Sequence, residues 1–343
     1  MYDNKKSYTI EEIAEICGVS KATVSRVINN NPKGVGEKTR AMVMETIEKL
    51  NYRPNTLARS IATSRSGMIG LVVPDVANFF YPKVIRGVTD YYMTQNGYTV
   101  LLGNSDYHPE TEAAQLMRMV DKRVDGIILC SGVSNIKFLR DFRKYNIPLA
   151  LMGRSFDSSL SDVSITGDNE IGGYKSAKFL LDGGNQRIAY VEGHTDISGS
   201  IQRLKGYKRA LKEAEIPFDD ALTLHGDYTI DYGKSAADEL LDSKVNFDAV
   251  MTGSDLIAIG MVAEFERRGV RIPEDIEVIG YDNIELSKVF NPALTTMSKP
   301  HYDMAQHISA QILNVIEGRR VMLPHMVVEP TLVIRETTKS HRK

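Results

Sequence analysis

The chain has 343 residues, too many for one hydrophobic core and enough for two or three domains. Its hydrophobic fraction of 42 % and charged fraction of 25 % fit a globular protein and exclude a disordered or membrane-embedded one. A net charge of −2 hides a split: residues 1–66 hold 11 Lys and Arg against 7 Asp and Glu, a balance of +4, which leaves −6 on the remainder. Basic charge gathered at one end is the footprint of a nucleic-acid-binding head. Residues 1–20 carry charges throughout, and no run of about 18 apolar residues exists to span a membrane, so a cytoplasmic protein without membrane contact is expected. Cys17 and Cys130 fall in different predicted domains and read as buried small side chains. The seven His show no metal-ligand spacing, and no metal or cofactor is expected.

The stretch 9–29, TIEEIAEICGVSKATVSRVIN, reads as two short helices around a tight turn. Thr9 and Glu12 have the spacing of a capping box, so the first helix begins near Ile10. Ile10, Ile13, Ala14 and Cys17 share one face, and Gly18 supplies the turn. Ser20 caps the second helix. A helix-turn-helix needs a small residue where its helices cross, a glycine in the turn and a β-branched anchor, here Ala14, Gly18 and Val24. With Val24, Val27 and Ile28 inward, Lys21, Ala22, Ser25, Arg26 and Asn29 face outward toward base edges or phosphates. Taken alone, the pair also fits a capped helical hairpin of some larger domain.

Residues 35–52 form a third amphipathic helix whose Met42, Val43, Ile47 and Leu50 can close a small core over the first two. Then follows RPNTLARSI at 53–61. The strings GVSKATVSRVIN, EKTRAMV, LNYRPNTLARSI, IGYDN, LTTMSKPHYDMA and TLVIRETT, in this order along the chain, closely resemble the LacI/GalR family of bacterial transcription regulators. The resemblance implies DNA contacts by Thr9, Ser20, Lys21, Ala22, Thr23, Ser25, Arg26 and Asn29. It also implies a hinge helix that contacts DNA through Asn55, Leu57, Ala58 and Ile61, with Ile61 wedging a base step where the family usually has Leu. Three further departures are Gly36 for a capping Ser, a slightly long loop at Lys33-Gly34, and Ser254 for the Asn before Asp255.

Beyond a small, polar linker at 62–66, apolar runs alternate with helical stretches. MIGLVV, YTVLL, DGIILC and PLALM read as parallel strands, with helices over 80–96, 109–122 and 136–145. RIAYVEG, ALTLHG, DAVMTG and IEVIGYD repeat the scheme with helices over 201–214, 232–241 and 256–268. The fold class is α/β: an all-α helix-turn-helix head with hinge helix, then two doubly wound parallel subdomains of periplasmic-binding-protein-like type. Open parallel sheets place ligand-contacting loops beyond their strands' carboxyl ends. Asp75, Asn78, Arg154, Tyr228, Asp255 and Asp282 obey that rule, and Arg203 opens the helix behind RIAYVEG. The resemblance assigns effector contacts to the positions of Asn78, Phe80, Arg203, Tyr228 and Asp282; strand-end placement adds Asp75, Arg154 and Asp255. Each has a plainer reading: Asp255 and Asp282 can cap helices, Arg203 can pair with a carboxylate, Arg154 can bridge the halves, and Phe80 or Tyr81 can be core.

LTTMSKP reads as a strand, 301–317 as a helix, and MVVEPTLVIRETT as a closing strand pair around Pro330. The resemblance implies three crossings between halves, placed near Thr166, Pro292 and Leu323. The expected domains are 1–54, the DNA-binding head; 55–66, hinge and linker; 67–166 with 293–323; and 167–292 with 324–343. The whole reads as a homodimeric regulator, most often a repressor in the resembled family, of double-stranded operator DNA, controlled by a small molecule, a carbohydrate by preference. The alternatives are a catabolite-control regulator that answers to a phosphorylated carrier protein and a purine-responsive repressor. An enzyme is disfavoured because no nucleophile elbow, metal cluster or dinucleotide glycine pattern occurs; GVGEKT at 34–39 lacks the residues and preceding strand of a phosphate loop.

Overall fold

The computed structural model describes residues 8–28, 31, 33–53, 65–95, 97–130, 135–153 and 158–339. Asn29, the hinge residues Asn55, Leu57, Ala58 and Ile61, and Arg154 lie outside them. The chain divides into two units at residue 67.

The head holds α1 (Ile10–Ile16), α2 (Lys21–Ile28) and α3 (Glu37–Lys49). The capping box forms as its spacing predicts: Glu12 N–H donates to Thr9 Oγ1 at 3.2 Å, and Thr9 N–H donates to Glu12 Oε2 at 2.7 Å. Gly18 turns the chain at φ +62°, where a side chain would be strained. Ser20 Oγ accepts from Thr23 N–H at 3.1 Å and caps α2. Ile13, Ala14, Cys17, Val24, Val27 and Val43 form the core, which Tyr52 joins from beyond α3. Met42, assigned to that core by periodicity, is exposed.

The second unit contains two six-stranded sheets. The first runs in the order β11 (His325–Val328), β5 (Val163–Gly167), β4 (Leu149–Met152), β3 (Gly126–Leu129), β1 (Met68–Val73) and β2 (Thr99–Asn104), with every neighbouring pair parallel. The second runs β12 (Thr331–Val333), β10 (Thr295–Ser298), β9 (Glu277–Tyr281), β8 (Ala249–Thr252), β6 (Ile188–Glu192) and β7 (Thr223–His225), parallel except for β12 against β10. The central strands are unbroken apolar runs because helices cover both faces. In the first lobe these helices are α4 (Tyr81–Gln95), α5 (Pro109–Asp121) and α6 (Ile136–Phe142). In the second they are α7 (Asn169–Asp182), α8 (Ser198–Glu213), α9 (Ile230–Asp242), α10 (Asp255–Arg267) and the single turn α11 (Leu286–Val289). Helix α12 (His301–Ile316) belongs to the first lobe, since Met304, Ala305, Ile308 and Ile312 pack with Ile69, Leu71, Val84 and Val88.

Two expected crossings fall elsewhere. β10 hydrogen-bonds to β9 and stays in the second lobe, so the second crossing is at Lys299-Pro300 rather than near Pro292. β11 pairs with β5 in the first lobe, which moves the third crossing from Leu323 to Glu329-Pro330. The segments 293–323 and 324–343 therefore each contribute to both lobes, and the strands flanking Pro330 are not a hairpin but edges of different sheets. The first crossing, at Gly167–Asn169, ends where Asp168 Oδ1 accepts from Ile171 N–H and starts α7.

Candidate functional site

The outer face of α2 is the one expected from the sequence to meet DNA. Lys21, Ala22 and Arg26 are exposed, and Thr23 and Ser25 are half-buried beside them, while Val24 and Val27 anchor the helix beneath. The Lys21 ammonium pairs with Glu11 on α1, both side chains being exposed. Hydrogen bonding from Lys21 holds the Glu11 carboxyl below its ordinary value. A phosphate or base edge must compete with that carboxylate for Lys21. Arg26 reaches forward to the loop between α2 and α3, where a Cβ on Gly34 would lie 3.4 Å from its Nη1.

Between the lobes of the second unit lies a cleft of about 820 Å³, open mouth included. The first lobe lines it with Asn78, Phe80, Tyr81 and Tyr107, and the second with Asn169, Arg203, Tyr228 and Asp282. Lys299 and His301 enter from the second crossing. Five of the effector residues expected from the sequence thus meet here: Asn78, Phe80, Arg203, Tyr228 and Asp282.

Asn78 is buried at the turn after β1, where its Oδ1 accepts from Phe80 N–H at 3.0 Å. The Tyr107 hydroxyl faces Tyr81 and Asn78, and burial pushes it up to about 12. Tyr107 also spans the cleft, its ring 4.9 Å from that of His194 and 6.1 Å from that of Tyr228. Tyr81 belongs to the core, whereas Phe80 is half-buried and meets it edge to face at 4.8 Å.

Arg203 sits on α8 where that helix crosses α7 at backbone contact. A Cβ on Gly206 would stand 2.0 Å from the Glu170 carbonyl oxygen, so the crossing demands glycine. The Arg203 guanidinium forks onto Glu192 at the end of β6, Nε and Nη2 each donating at 3.0 Å, with both side chains buried. Nη2 also donates to the Tyr228 hydroxyl at 2.9 Å, Nη1 faces Asn169 Oδ1 at 3.4 Å, and the guanidinium carbon lies 4.7 Å from the Tyr281 ring centre. Burial alone would raise the Glu192 carboxyl; the charge and hydrogen bonds of Arg203 overcome it and hold it low. Arg203 is therefore first the partner of a buried carboxylate, although it also lines the cleft.

Asp282 ends β9 at φ +106°, and its carboxylate stands 3.9 Å from the Lys299 ammonium, beyond hydrogen-bond length. Burial raises the Asp282 carboxyl while Lys299 and Arg203 oppose it. Burial lowers the Lys299 amine to about 8, against the pull of Asp282. Lys83 on α4 reaches across the cleft to Glu285 at 2.8 Å and to the Asn283 carbonyl at 3.3 Å.

Two expected residues do not line the cleft. Asp75 turns into its own loop, where Oδ1 accepts from Ala77 N–H at 2.8 Å. Asp255 lies beneath the cleft floor, accepting from Ile284 N–H at 2.8 Å and from Thr296 Oγ1 at 2.5 Å. It ties α10 to β10 and the turn after β9, and burial raises its carboxyl far above the ordinary value. The helix cap falls instead to Ser254, whose Oγ accepts from Ile257 N–H at 3.3 Å. Tyr107, Asn169, Lys299 and His301 were not anticipated; all follow strand ends, the rule that found the others.

Residues 9–55 match the model of the lacI family of bacterial regulatory proteins, and residues 66–331 match that of periplasmic binding proteins and the sugar binding domain of the LacI family. The chain belongs to the LacI family. Catabolite control protein A of Priestia megaterium is 37 % identical over 325 residues, covering 93 % of this chain and 97 % of that protein. The HTH-type transcriptional repressor PurR of Vibrio atlanticus (strain LGP32) is 36 % identical over 334 residues, covering 97 % and 99 %. Among solved structures, the lac repressor dimer bound to operator and the anti-inducer ONPF superposes with a TM-score of 0.86 at 26 % identity, covering 97 % of this chain and 99 % of that one. As a LacI-family member the chain is a DNA-binding transcription regulator with an effector domain, not an enzyme.

Proposed function

We propose that this LacI-family chain is a dimeric operator-binding repressor whose DNA affinity is set by a sugar or sugar derivative held in the cleft by Asn78, Phe80, Arg203, Tyr228, Asp282 and Lys299. The observation that carries the reading is the pairing of Asp282 and Lys299, a carboxylate and an ammonium 3.9 Å apart at the cleft wall. One ligand hydroxyl set between them donates to the first and accepts from the second, a double role that suits polyols. Phe80 and Tyr228 supply apolar faces for the ring's C–H side. The family model's own description, a sugar binding domain, agrees.

The dimer follows from the size of one reading head. A single helix-turn-helix offers too few base contacts to separate an operator from bulk DNA, and two half-sites supply the difference. Lys21, Ala22, Ser25 and Arg26 are the proposed reading positions; Thr9, Ser20 and Thr23 act at the helix starts. A thermal-shift screen of monosaccharides, disaccharides and purine bases on the full chain tests the effector class. Stabilisation by a carbohydrate that disappears in Asp282→Ala supports it. Stabilisation by a purine base alone transfers the cleft to the purine-responsive alternative.

A further inference from the structure

His301 opens α12 immediately after the second crossing, so it stands at the junction of both lobes. It lines the cleft and is buried to 4 % exposure. The Phe80 ring stands edge-on to it, with centroids 4.4 Å apart. Its imidazole faces the backbone of Asp282, in the opposite lobe, and its Nε2 is buried with no hydrogen-bond partner among the described residues. Asp282 N–H is already given to the Met297 carbonyl, so that backbone offers the ring a carbonyl oxygen, which favours a proton on the nitrogen turned toward it.

We propose that His301 is a ligand-reading residue of the cleft, presenting the bare Nε2 of a neutral imidazole as an acceptor that selects a ligand hydroxyl or N–H over an acceptor group. This rests on the cleft being the effector site. In this arrangement Nδ1–H is the group turned to the Asp282 carbonyl, and the imidazolium is disfavoured by burial and by the charges of Lys299 and Lys83. The carboxylates facing these cations are Asp282, 3.9 Å from Lys299, and Glu285, 2.8 Å from Lys83.

Lys299, two residues before, is the donor that complements this acceptor. Its side chain is 9 % exposed and its ammonium lies 4.8 Å from the Tyr281 ring centre. With Asp282 the two residues define a three-point pattern. One hydroxyl accepts from Lys299 and donates to Asp282, and its neighbour donates to His301 Nε2. The class of ligand that satisfies all three is a vicinal diol. Since Lys299 and His301 flank Pro300 at the second crossing, a ligand held by both acts directly on the segment that joins the lobes.

Imidazole-nitrogen NMR of the full chain labelled with ¹⁵N-histidine, with the His301 signal assigned by its loss in His301→Gln, tests the arrangement without an effector. The expected result is a neutral Nδ1–H tautomer that stays neutral through the range in which an ordinary histidine titrates. An Nε2–H tautomer, or titration at the ordinary histidine value, overturns the proposal. Calorimetry with ribose, cellobiose and hypoxanthine as probes then tests the selection. For a probe that binds the wild type, His301→Phe should weaken Kd roughly tenfold or more, while His301→Gln, which keeps an acceptor oxygen, stays within about threefold. Unchanged affinity in His301→Phe overturns it. Binding of hypoxanthine but neither sugar defeats the carbohydrate reading alone, and His301 is then judged on hypoxanthine. If no probe binds, the tautomer decides.

Discussion

Replacing Arg203 by Met keeps much of the side chain's volume and removes the charge that Glu192 was buried to meet. Glu192 is 1 % exposed and would retain hydrogen bonds from Tyr190, Tyr228 and Gly193 N–H but no cation. Breaking a buried pair from one side typically costs about 3–5 kcal/mol, because the surviving charge is left uncompensated. The remaining three donors place the expected loss at the lower end, about 3 kcal/mol. Adding Glu192→Gln removes the stranded charge, so the double variant should regain at least about 1 kcal/mol over Arg203→Met. The pH dependence has a defined sign. In the wild type the Glu192 carboxyl is held below its ordinary 4.5, so its stabilisation is complete above that value and is lost as pH falls through the lower folded value. In Arg203→Met the carboxyl rises above 4.5, and the variant's deficit shrinks as pH falls from 7 toward that range. The chain has no Trp, so urea unfolding is best followed by far-ultraviolet circular dichroism. A single variant within about 1 kcal/mol of wild type, or a double variant no more stable than the single, would refute the assignment of this pair as a charge held for its partner.

Arg26→Ala should lose about 1–3 kcal/mol on the specific site and much less on random duplex, as expected of a bidentate base contact; equal losses at one salt concentration would reassign it to phosphate. Lys83→Met removes a half-exposed bridge worth up to about 1 kcal/mol, so effector dissociation measured by stopped flow should quicken no more than about fivefold, and a larger change would mean that Lys83 touches the ligand. Since the Lys299 amine titrates at about 8, effector affinity in calorimetry should fall as pH rises from 7 to 9, and Lys299→Gln should flatten the profile; an identical slope in both would remove Lys299 from the binding groups. Ile61→Ala should reduce operator bending in a gel assay while leaving effector affinity unchanged, and wild-type curvature would dismiss the wedge.

The head was legible because its signals are local. The capping box at Thr9 and Glu12, the turn at Gly18 and the inward Val24 and Val27 each depend on a few neighbouring residues, and all four form. The strand cores were legible for the same reason, since doubly covered strands are written as apolar runs. What escaped depends on pairing between distant segments. Ser298 and Val328 look alike in a strand pattern, and only their hydrogen-bonded neighbours, β9 and β5, say which lobe each strand joins. Asn78, Tyr228 and Asp282, named by the strand-end rule, line the cleft, yet the rule cannot tell a carboxylate aimed into a cleft from one turned under it. Asp255 and Asp282 both follow strands, and the difference is that Ile284 N–H and Thr296 claim the former. Glu192 was not singled out because an acidic residue ending an apolar strand carries no signal until Arg203, eleven residues on, is folded over it.

The central claim is that a molecule bound in the cleft sets the affinity of the head for its operator. Its most direct test is fluorescence anisotropy on an operator duplex selected from a random pool, titrated with the full chain in the presence and absence of the carbohydrate that stabilises it. The account predicts a change in operator affinity of at least about tenfold in the wild type and none in Asp282→Ala, with the variant's effector-free DNA binding intact. Operator affinity indifferent to a carbohydrate that demonstrably occupies the cleft would contradict it.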